Sequence, residues 1–290
     1  KYMDIKFTDG GVTAPKGFTA NGIHCGIRKS KDKKDLALIF CEKECDAAAV
    51  YTQNLVCGAP ITVTKNNISD GKARAVVCNS GIANTCNADG IEKAEGMCEI
   101  TANALGISKS DIIVASTGVI GQPLDLEPVK SGINELVSGL NKNGSDSAAN
   151  AIMTTDTVKK EFACEFTLGG KPCHIGAISK GSGMIHPNMA TMLAFITTDA
   201  NISSEMLKSS LLEVVADSFN MLSVDGDTST NDTVAILASG LCENERITEK
   251  NDDYRTFTLA LSSICEKLVK LMAKDGEGAT KLVECVVSGA

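Results

Sequence analysis

The chain has 290 residues, 43% of them hydrophobic, and a formal net charge of −8, which indicates a globular protein with a sizeable core in one large or two ordinary domains. The acidic balance, without a basic stretch, lacks the electrostatic footprint of a nucleic-acid-binding protein. No apolar run approaches the length of a membrane span, and the first residues include no apolar signal region, so we expect a cytoplasmic protein without a membrane segment.

Strands and helices are predicted in alternation along the chain. Short apolar runs predict four strands, at Leu36–Cys41, Ala73–Cys78, Ile112–Ala115 and Val234–Leu237. Apolar residues at helical spacing predict three helices: Ile91–Leu105 with Gly106 as its stop, one that begins after Ser203, and one through Phe257 and Leu271 that ends at Asp275. Asn141–Ser147 is polar throughout and predicts a surface loop. The alternation favours an α/β protein.

Twelve cysteines raise the question of disulfides or a metal site. Most lie in or after apolar runs, as Cys41 and Cys78 do, so reduced and buried thiols are expected. Cys173 and His174 are adjacent, but no second pair stands at the spacing of a zinc finger. We therefore expect no metal.

One segment, Lys180–Asp199, differs from ordinary loop or core sequence. Two glycines and a proline interrupt its first half, its second half is apolar and strand-like, and Ala190 is followed by Thr191 at the junction. A threonine hydroxyl can attack the preceding carbonyl, and hydrolysis of the resulting ester leaves an N-terminal threonine whose α-amine serves as its own base. The alternative is a glycine-rich loop that enters a strand. Taken alone, Lys180 is predicted to be a solvated lysine.

Two further segments offer groups that can bind a substrate. Ser116–Gly121 follows a predicted strand, where Thr117 and Gly118 can form an oxyanion hole or only a turn. Glu277 lies between two glycines, where it can pair with a substrate ammonium group or remain solvated beyond a helix.

Two polar clusters have weaker signals. The hydroxyl groups of Thr154–Thr157 can orient a polar substrate or bond to the local backbone. Ser223–Asp232 looks like a calcium loop but lacks the glycine and the glutamate that an EF-hand requires. We interpret it as a turn-rich loop that supports a site.

In order along the chain, six segments resemble the ornithine acetyltransferase (glutamate N-acetyltransferase) family of arginine biosynthesis. They are Val76–Gly81, Ser116–Gly121, Ala148–Thr157, Lys180–Asp199, Ser218–Val234 and Asp275–Glu284. The Lys180–Asp199 block is the most specific. The resemblance implies an α/β fold of layered sheets packed between helices.

The resemblance also implies roles for individual residues. Cleavage between Ala190 and Thr191 would give an α chain of residues 1–190 and a β chain of residues 191–290 that begins with the nucleophile. Thr117 and Gly118 match the oxyanion-hole pair of the family. The matching substrate-binding positions are Thr157, Lys180, Thr191 and Glu277.

The implied reaction is a ping-pong acetyl transfer. N-acetylornithine donates its acetyl group to Thr191 and glutamate then accepts it, while some family members also use acetyl-CoA. The implied assembly contains two α and two β chains and no metal or bound cofactor. By charge, we expect Lys180 to face a substrate α-carboxylate and Glu277 to face the cationic side chain of ornithine.

Other functions stay open at this point. The family continues well beyond position 290 and takes an Asn and a Ser or Thr of its substrate site from there, so a fragment or shortened variant is expected. We expect such a shortened chain to be poorly soluble or to lack transferase activity. One alternative is a self-processing hydrolase related to aminopeptidases, in which water takes the acyl group. The other is an inactive fragment that only binds partners or substrate.

Overall fold

The computed structural model describes residues 5–186 and 192–289. Within these ranges the strands are β1 (Lys6–Thr8), β2 (Phe18–Ile23), β3 (Leu36–Tyr51), β4 (Lys72–Ile82), β5 (Ile112–Val119), β6 (Lys160–Leu168), β7 (Lys171–Lys180), β8 (Leu193–Thr198) and β9 (Thr233–Ala238). The α-helices are α1 (Ala59–Asn67), α2 (Gly90–Leu105), α3 (Glu127–Ser138), α4 (Ser145–Ile152), α5 (Ser204–Ala216) and α6 (Asp252–Lys274).

The long strand β3 joins two halves of one mixed sheet. Its first part pairs with β2 and β4, its second part pairs with β9, and its register against β4 shifts between Phe40 and Cys45. One half contains β2, β3, β4 and β5, and the other runs β1-β6-β7-β8-β9-β3. The pairs β4–β5 and β8–β9 are parallel, and the other strand pairs are antiparallel.

Alternation of side chains along the strands sorts the two halves into layers. In the first half, Val76 faces a central core that also contains α4, whereas Val77 packs toward α2 and α3. In the second half, Phe195 faces the same central core, whereas Ile196 packs against α5 and α6. Because successive residues of a strand point to opposite faces, the fold has two sheet layers around a central core that includes α4. The outer faces of the two layers are covered by α1, α2 and α3 on one side and by α5 and α6 on the other. The predicted layered α/β class is confirmed.

The predicted elements are present, mostly with longer bounds. The Ser203 side chain accepts a hydrogen bond from the Met206 backbone N–H at 3.3 Å, as expected of an N-cap. Gly106 ends α2 with a φ of 68°. The predicted loop over 141–147 is wrong in its second half, because α4 begins at Ser145. That serine is buried and its hydroxyl accepts from the Val12 N–H at 3.0 Å, which is a long-range contact.

The cysteines follow the expectation of reduced thiols. All of them are free, and eight are buried, namely Cys41, Cys45, Cys78, Cys98, Cys164, Cys173, Cys242 and Cys265. Among the helices of the described ranges, none has both the length and the apolar character that crossing a membrane requires.

Candidate active site

A cleft of about 570 Å³ opens where β5 and β7 end and β9 begins. Four of the predicted site residues line it, Thr117, Gly118, Lys180 and Glu277, together with Thr154 and Thr155 of the predicted hydroxyl cluster. Two sheet strands, β5 and β7, and the loop after α6 supply them, so residues far apart in sequence meet here. Loop residues from 225 to 231 complete the wall.

Thr117 and Gly118 form the wall of the cleft at the end of β5. Gly118 has a φ of +128°, and a Cβ atom on it would lie 2.2 Å from the carbonyl carbon of Gly81 on β4, so only glycine fits there. Thr117 is 8% exposed, and within the described ranges its hydroxyl forms no hydrogen bond. The strand continues to Val119, so the plain turn considered above is not formed. The Thr117 hydroxyl is left available to a ligand in the cleft.

Asn231, which also lines the cleft, holds this end of β5 in place. Its side-chain amide donates to the carbonyls of Ala83 at 2.7 Å and Ser116 at 2.9 Å. Its carbonyl oxygen accepts from the Thr85 hydroxyl at 2.6 Å. One buried side chain therefore fixes the residue just before Thr117 relative to β9, and no sequence signal marked Asn231 for this role.

Lys180, the last residue of β7, is buried and reaches the cleft. It is 4% exposed, so the prediction of a solvated lysine is wrong. Burial lowers its pKa from the ordinary value of 10.5, although the carboxylates of Asp156 and Asp232 act in the opposite direction. Its ammonium group forms no hydrogen bond within the described ranges, which leaves it available to an anionic group in the cleft.

Glu277 reaches the cleft from the loop that follows α6. Its backbone N–H donates to the Ser182 carbonyl at 2.7 Å. Its side chain lies against Gly183, where an added Cβ atom would come within 2.5 Å of the Glu277 carboxyl carbon. Gly183 therefore makes room for the carboxylate, which is exposed at the mouth of the cleft.

Thr157, the remaining described residue with a predicted role in substrate binding, does not line the cleft. Its backbone N–H donates to Asp275 at 3.1 Å, and its hydroxyl donates to the same carboxylate. Asp275 accepts from the buried Lys160 at 2.6 Å, and Lys160 also donates to Asp156 at 2.7 Å. Thr157 thus contacts the ion-pair network that holds the loop carrying Glu277.

Asp156 connects this network to Lys180 and to the segment after β7. Its carboxylate accepts from the Gly181 N–H at 2.7 Å. Burial raises the pKa of Asp156, but Lys180, Lys160 and the Gly181 N–H outweigh it and hold the pKa below its ordinary value of 3.8. Lys180 and the loop that carries Glu277 therefore depend on one set of charges.

We expect Lys160→Met to destabilise the fold by about 3–5 kcal/mol. The substitution removes the buried ammonium group with which the carboxylates of Asp156 and Asp275 pair, and leaves both without this partner. The Asp156 and Asp275 pKa values lie below the ordinary 3.8, so the stability these carboxylates provide is present above that pH and is lost as the pH falls further. Urea unfolding at neutral pH and on acidification measures both effects.

The control is Lys159→Met, at a neighbouring lysine with 41% of its side chain exposed, which should change the free energy of unfolding by less than about 0.5 kcal/mol. Equal losses in the two variants would contradict the assignment.

Two carboxylates that the sequence did not single out flank the junction segment. Asp225 accepts from the N–H groups of Met184 at 2.5 Å and Ile185 at 2.9 Å. Asp232 accepts from the Met192 N–H at 2.7 Å through one oxygen. Its other oxygen is buried and has no hydrogen-bond partner among the described residues, and burial raises the pKa of this carboxyl well above its usual range. Both lie in the turn-rich block Ser223–Asp232. Its composition predicted a loop that supports a site, but it did not indicate which of its residues would contact the junction segment.

Ala190 and Thr191 lie outside the described residues. The residues described on either side are held by the two carboxylates, Ile185 by Asp225 and Met192 by Asp232. Met192 directly follows Thr191 in sequence, and β8 begins at Leu193, which pairs with Lys180. On both sides of residues 187–191 the chain therefore bonds to residues that line the cleft, Ile185 to Asp225 and Leu193 to Lys180.

The layered arrangement is shared with hydrolases of the Ntn class. A solved L-aminopeptidase D-Ala-esterase/amidase from Ochrobactrum anthropi, described as a variant of the Ntn hydrolase fold, aligns with 92% of this chain and 86% of its own at 12% identity and a TM-score of 0.55. At that identity the likeness shows the fold alone. The chain has the fold of an Ntn hydrolase.

The family is shown by closer matches. The ArgJ family matches residues 19–290, and the chain belongs to the ArgJ family. The Arginine biosynthesis bifunctional protein ArgJ of Geobacillus kaustophilus is 49% identical over 97% of this chain and 69% of its own. The protein of the same name from Bacillus subtilis is 49% identical over 99% of this chain and 70% of its own.

Solved structures agree with this assignment. The ArgJ structure from Bacillus halodurans is 38% identical, with a TM-score of 0.61, and covers 66% of this chain and 100% of its own. An ornithine acetyltransferase from Mycobacterium tuberculosis, solved with ornithine, is 32% identical, with a TM-score of 0.58, and covers 65% of this chain and 100% of its own. The family suggested by the six sequence segments is therefore confirmed.

Proposed function

We propose that this chain is a self-processing glutamate N-acetyltransferase that moves the acetyl group of N-acetylornithine to glutamate through Thr191. The observation that supports this most is the meeting of Thr117, Gly118, Lys180 and Glu277 in one cleft. Met192, which follows Thr191 in sequence, is held by Asp232, the neighbour of the cleft residue Asn231. Membership of the ArgJ family supports the substrate class, because relatives are named for arginine biosynthesis.

The first chemical step is self-cleavage. The Thr191 hydroxyl oxygen attacks the carbonyl carbon of Ala190, the peptide C–N bond breaks, and the Thr191 nitrogen takes the proton as an α-amine. Water then hydrolyses the ester. The products are residues 1–190 and residues 191–290, the second with Thr191 at its start. The Thr117 hydroxyl and the Gly118 N–H would stabilise the oxyanion of the tetrahedral intermediate.

Acetyl transfer uses the same groups a second time. The α-amine of Thr191 accepts the hydroxyl proton as the oxygen attacks the acetyl carbon of N-acetylornithine. The amide C–N bond breaks and ornithine leaves with the proton on its amine. The amine of glutamate then attacks the acetyl ester, which releases N-acetylglutamate and restores the threonine hydroxyl.

The charges of the cleft suit these substrates. Lys180 is buried and lacks a hydrogen-bond partner in the part of the chain that the structure describes, which suits the α-carboxylate that both substrates have. Glu277 is exposed at the mouth, where it suits the side-chain ammonium group of ornithine. Thr157 would act in substrate binding through Asp275, which it contacts.

The relatives are named bifunctional, which fits acetyl-CoA as a second acetyl donor for glutamate. The reaction needs no metal or bound cofactor, since threonine supplies both nucleophile and base. We further propose an assembly of two α and two β chains and a cytoplasmic location.

Product analysis with labelled N-acetylornithine tests the transferase function. Labelled N-acetylglutamate should form when glutamate is present, and acetate should form only slowly when glutamate is left out. Rapid acetate formation that is independent of glutamate would instead identify a hydrolase, as the aminopeptidase alternative requires. Cleavage without any acetyl release would favour a fragment that only binds.

Glu277→Gln should raise the KM for N-acetylornithine by about 10- to 100-fold, because a hydrogen bond to a charged group contributes about 1.5–3 kcal/mol. The KM for glutamate, which lacks a cationic side chain, should change much less. Steady-state kinetics with each substrate varied in turn measures this difference. Glu249→Gln, at an exposed residue outside the cleft, is the matched control. An equal effect on both substrates would argue against pairing of Glu277 with ornithine.

A further inference from the structure

A second cluster of reactive side chains lies near the start of β7, whereas the cleft lies at its end. It consists of Cys173 on β7, Asp199 just after β8 and Cys242 after β9. One ligand atom from each lies within 4.8 Å of the other two, and all three residues are buried. Seven residues of extended strand separate Cys173 from Lys180, a distance of about 23 Å. The cluster is therefore separate from the proposed acetyl-transfer site.

The carboxylate of this cluster is held in a fixed orientation. Asp199 accepts from the backbone N–H of His174 at 2.7 Å, its ring Nδ1 at 3.0 Å and the N–H of Lys16 at 3.1 Å. Metal-binding side chains in proteins are typically oriented in this way by hydrogen bonds from a surrounding shell. Cys242 has its sulfur 3.5 Å from the Pro172 carbonyl, so the second thiol is also positioned by contacts.

The spacing suits a tetrahedral cation that prefers sulfur. Zinc–sulfur bonds of about 2.3 Å place two thiolates about 3.8 Å apart and a carboxylate oxygen about 3.5 Å from each sulfur. Both separations fall within the 4.8 Å limit that the three ligand atoms satisfy. Small side-chain movements would complete the coordination, and the fourth position would be left for water.

The charges of the cluster suit a divalent cation. Two thiolates and the Asp199 carboxylate would bring three negative charges, of which the cation would offset two. The His174 ring lies between Asp199, at 3.0 Å, and Glu165, at 3.3 Å.

We propose that Cys173, Asp199 and Cys242 form a structural site for a thiophilic divalent cation, of which Zn²⁺ is the representative. A bound ion would join the start of β7 to the segments that follow β8 and β9. The sequence predicted no metal because its spacing test considers neighbours in sequence, whereas these three ligands come from separate strands. The site would stabilise the fold and take no part in acetyl transfer.

Metal analysis of the purified chain tests this proposal without any measurement of activity. After incubation with Zn²⁺ and removal of the excess, we expect one zinc per chain, and with Co²⁺ we expect the thiolate-to-metal absorption band. Both signals should be lost in Cys242→Ser and in Cys173→Ser. Cys45→Ser is the matched control, because Cys45 is buried in the other close thiol pair, with Cys41, and it should keep both signals.

Two results would overturn the proposal. The first is the absence of zinc from the wild-type chain, or the same zinc content in Cys242→Ser. The second is a Cys173–Cys242 disulfide in protein kept under reducing conditions, detected as the loss of two hydrogen masses, since the thiols would then be unavailable. If Cys173→Ser fails to fold, Cys242→Ser alone decides, because that residue lies in a loop outside the strands.

Discussion

Thr191→Ala is expected to leave the purified protein as one uncleaved chain, whereas the wild type should yield two fragments that meet between Ala190 and Thr191. The methyl side chain of alanine offers no oxygen to attack the preceding carbonyl, so the acyl shift cannot begin. Intact-mass spectrometry of freshly purified and of incubated samples measures the result directly. The same variant should be inactive in acetyl transfer, because the reaction lacks its nucleophile.

The control for this experiment is Thr191→Ser, which keeps the hydroxyl group and should restore cleavage, although at a different rate. Cleavage in Thr191→Ala at the same position would show that another group acts as the nucleophile. An intact wild-type chain after native folding would show that this chain does not mature, and the hypothesis of a fragment that only binds would then be favoured. Each outcome separates the chemistry of Thr191 from an effect on folding.

Thr117→Val is expected to lower kcat by about 10²- to 10³-fold, which corresponds to a loss of about 2.7–4 kcal/mol of transition-state stabilisation. Valine has nearly the shape of threonine but no hydroxyl group to donate to an oxyanion. Since the Thr117 hydroxyl forms no hydrogen bond within the described ranges, the thermal midpoint should stay close to that of the wild type. Self-cleavage followed by intact mass, and kcat of the cleaved form, measure the two uses of the hydroxyl.

Thr117→Ser keeps the donor and serves as the matched control for the loss of the methyl group. If valine and serine reduce kcat equally, the hydroxyl group is not the donor and the effect is one of packing. If valine lowers the thermal midpoint strongly, the rate cannot be attributed to the oxyanion. The prediction therefore requires a slow variant that folds normally, together with an active serine variant.

Local features of the chain were predicted well from sequence. The apolar runs at Ala73–Cys78 and Val234–Leu237 lie within β4 and β9, and Ser203 caps α5 as expected. These features depend on alternation and on hydrogen bonds between residues a few positions apart. The β3 strand shows the limit of such patterns. It continues past the exposed residues Glu42–Glu44 to Tyr51 because its second part pairs with the distant β9.

The candidate site was also predicted only in part from the sequence. The residue types and their order along the chain were enough to indicate the ArgJ family and the junction at Thr191. The burial of Lys180, the contact of Thr157 with Asp275 rather than with the cleft, and the roles of Asn231 and Asp232 were decided by the tertiary structure. Burial, the pairing of charges and the clustering of ligands such as Cys173 and Cys242 all arise from contacts between distant segments. Periodicity and spacing along one chain do not record such contacts, because they describe only what neighbouring residues do.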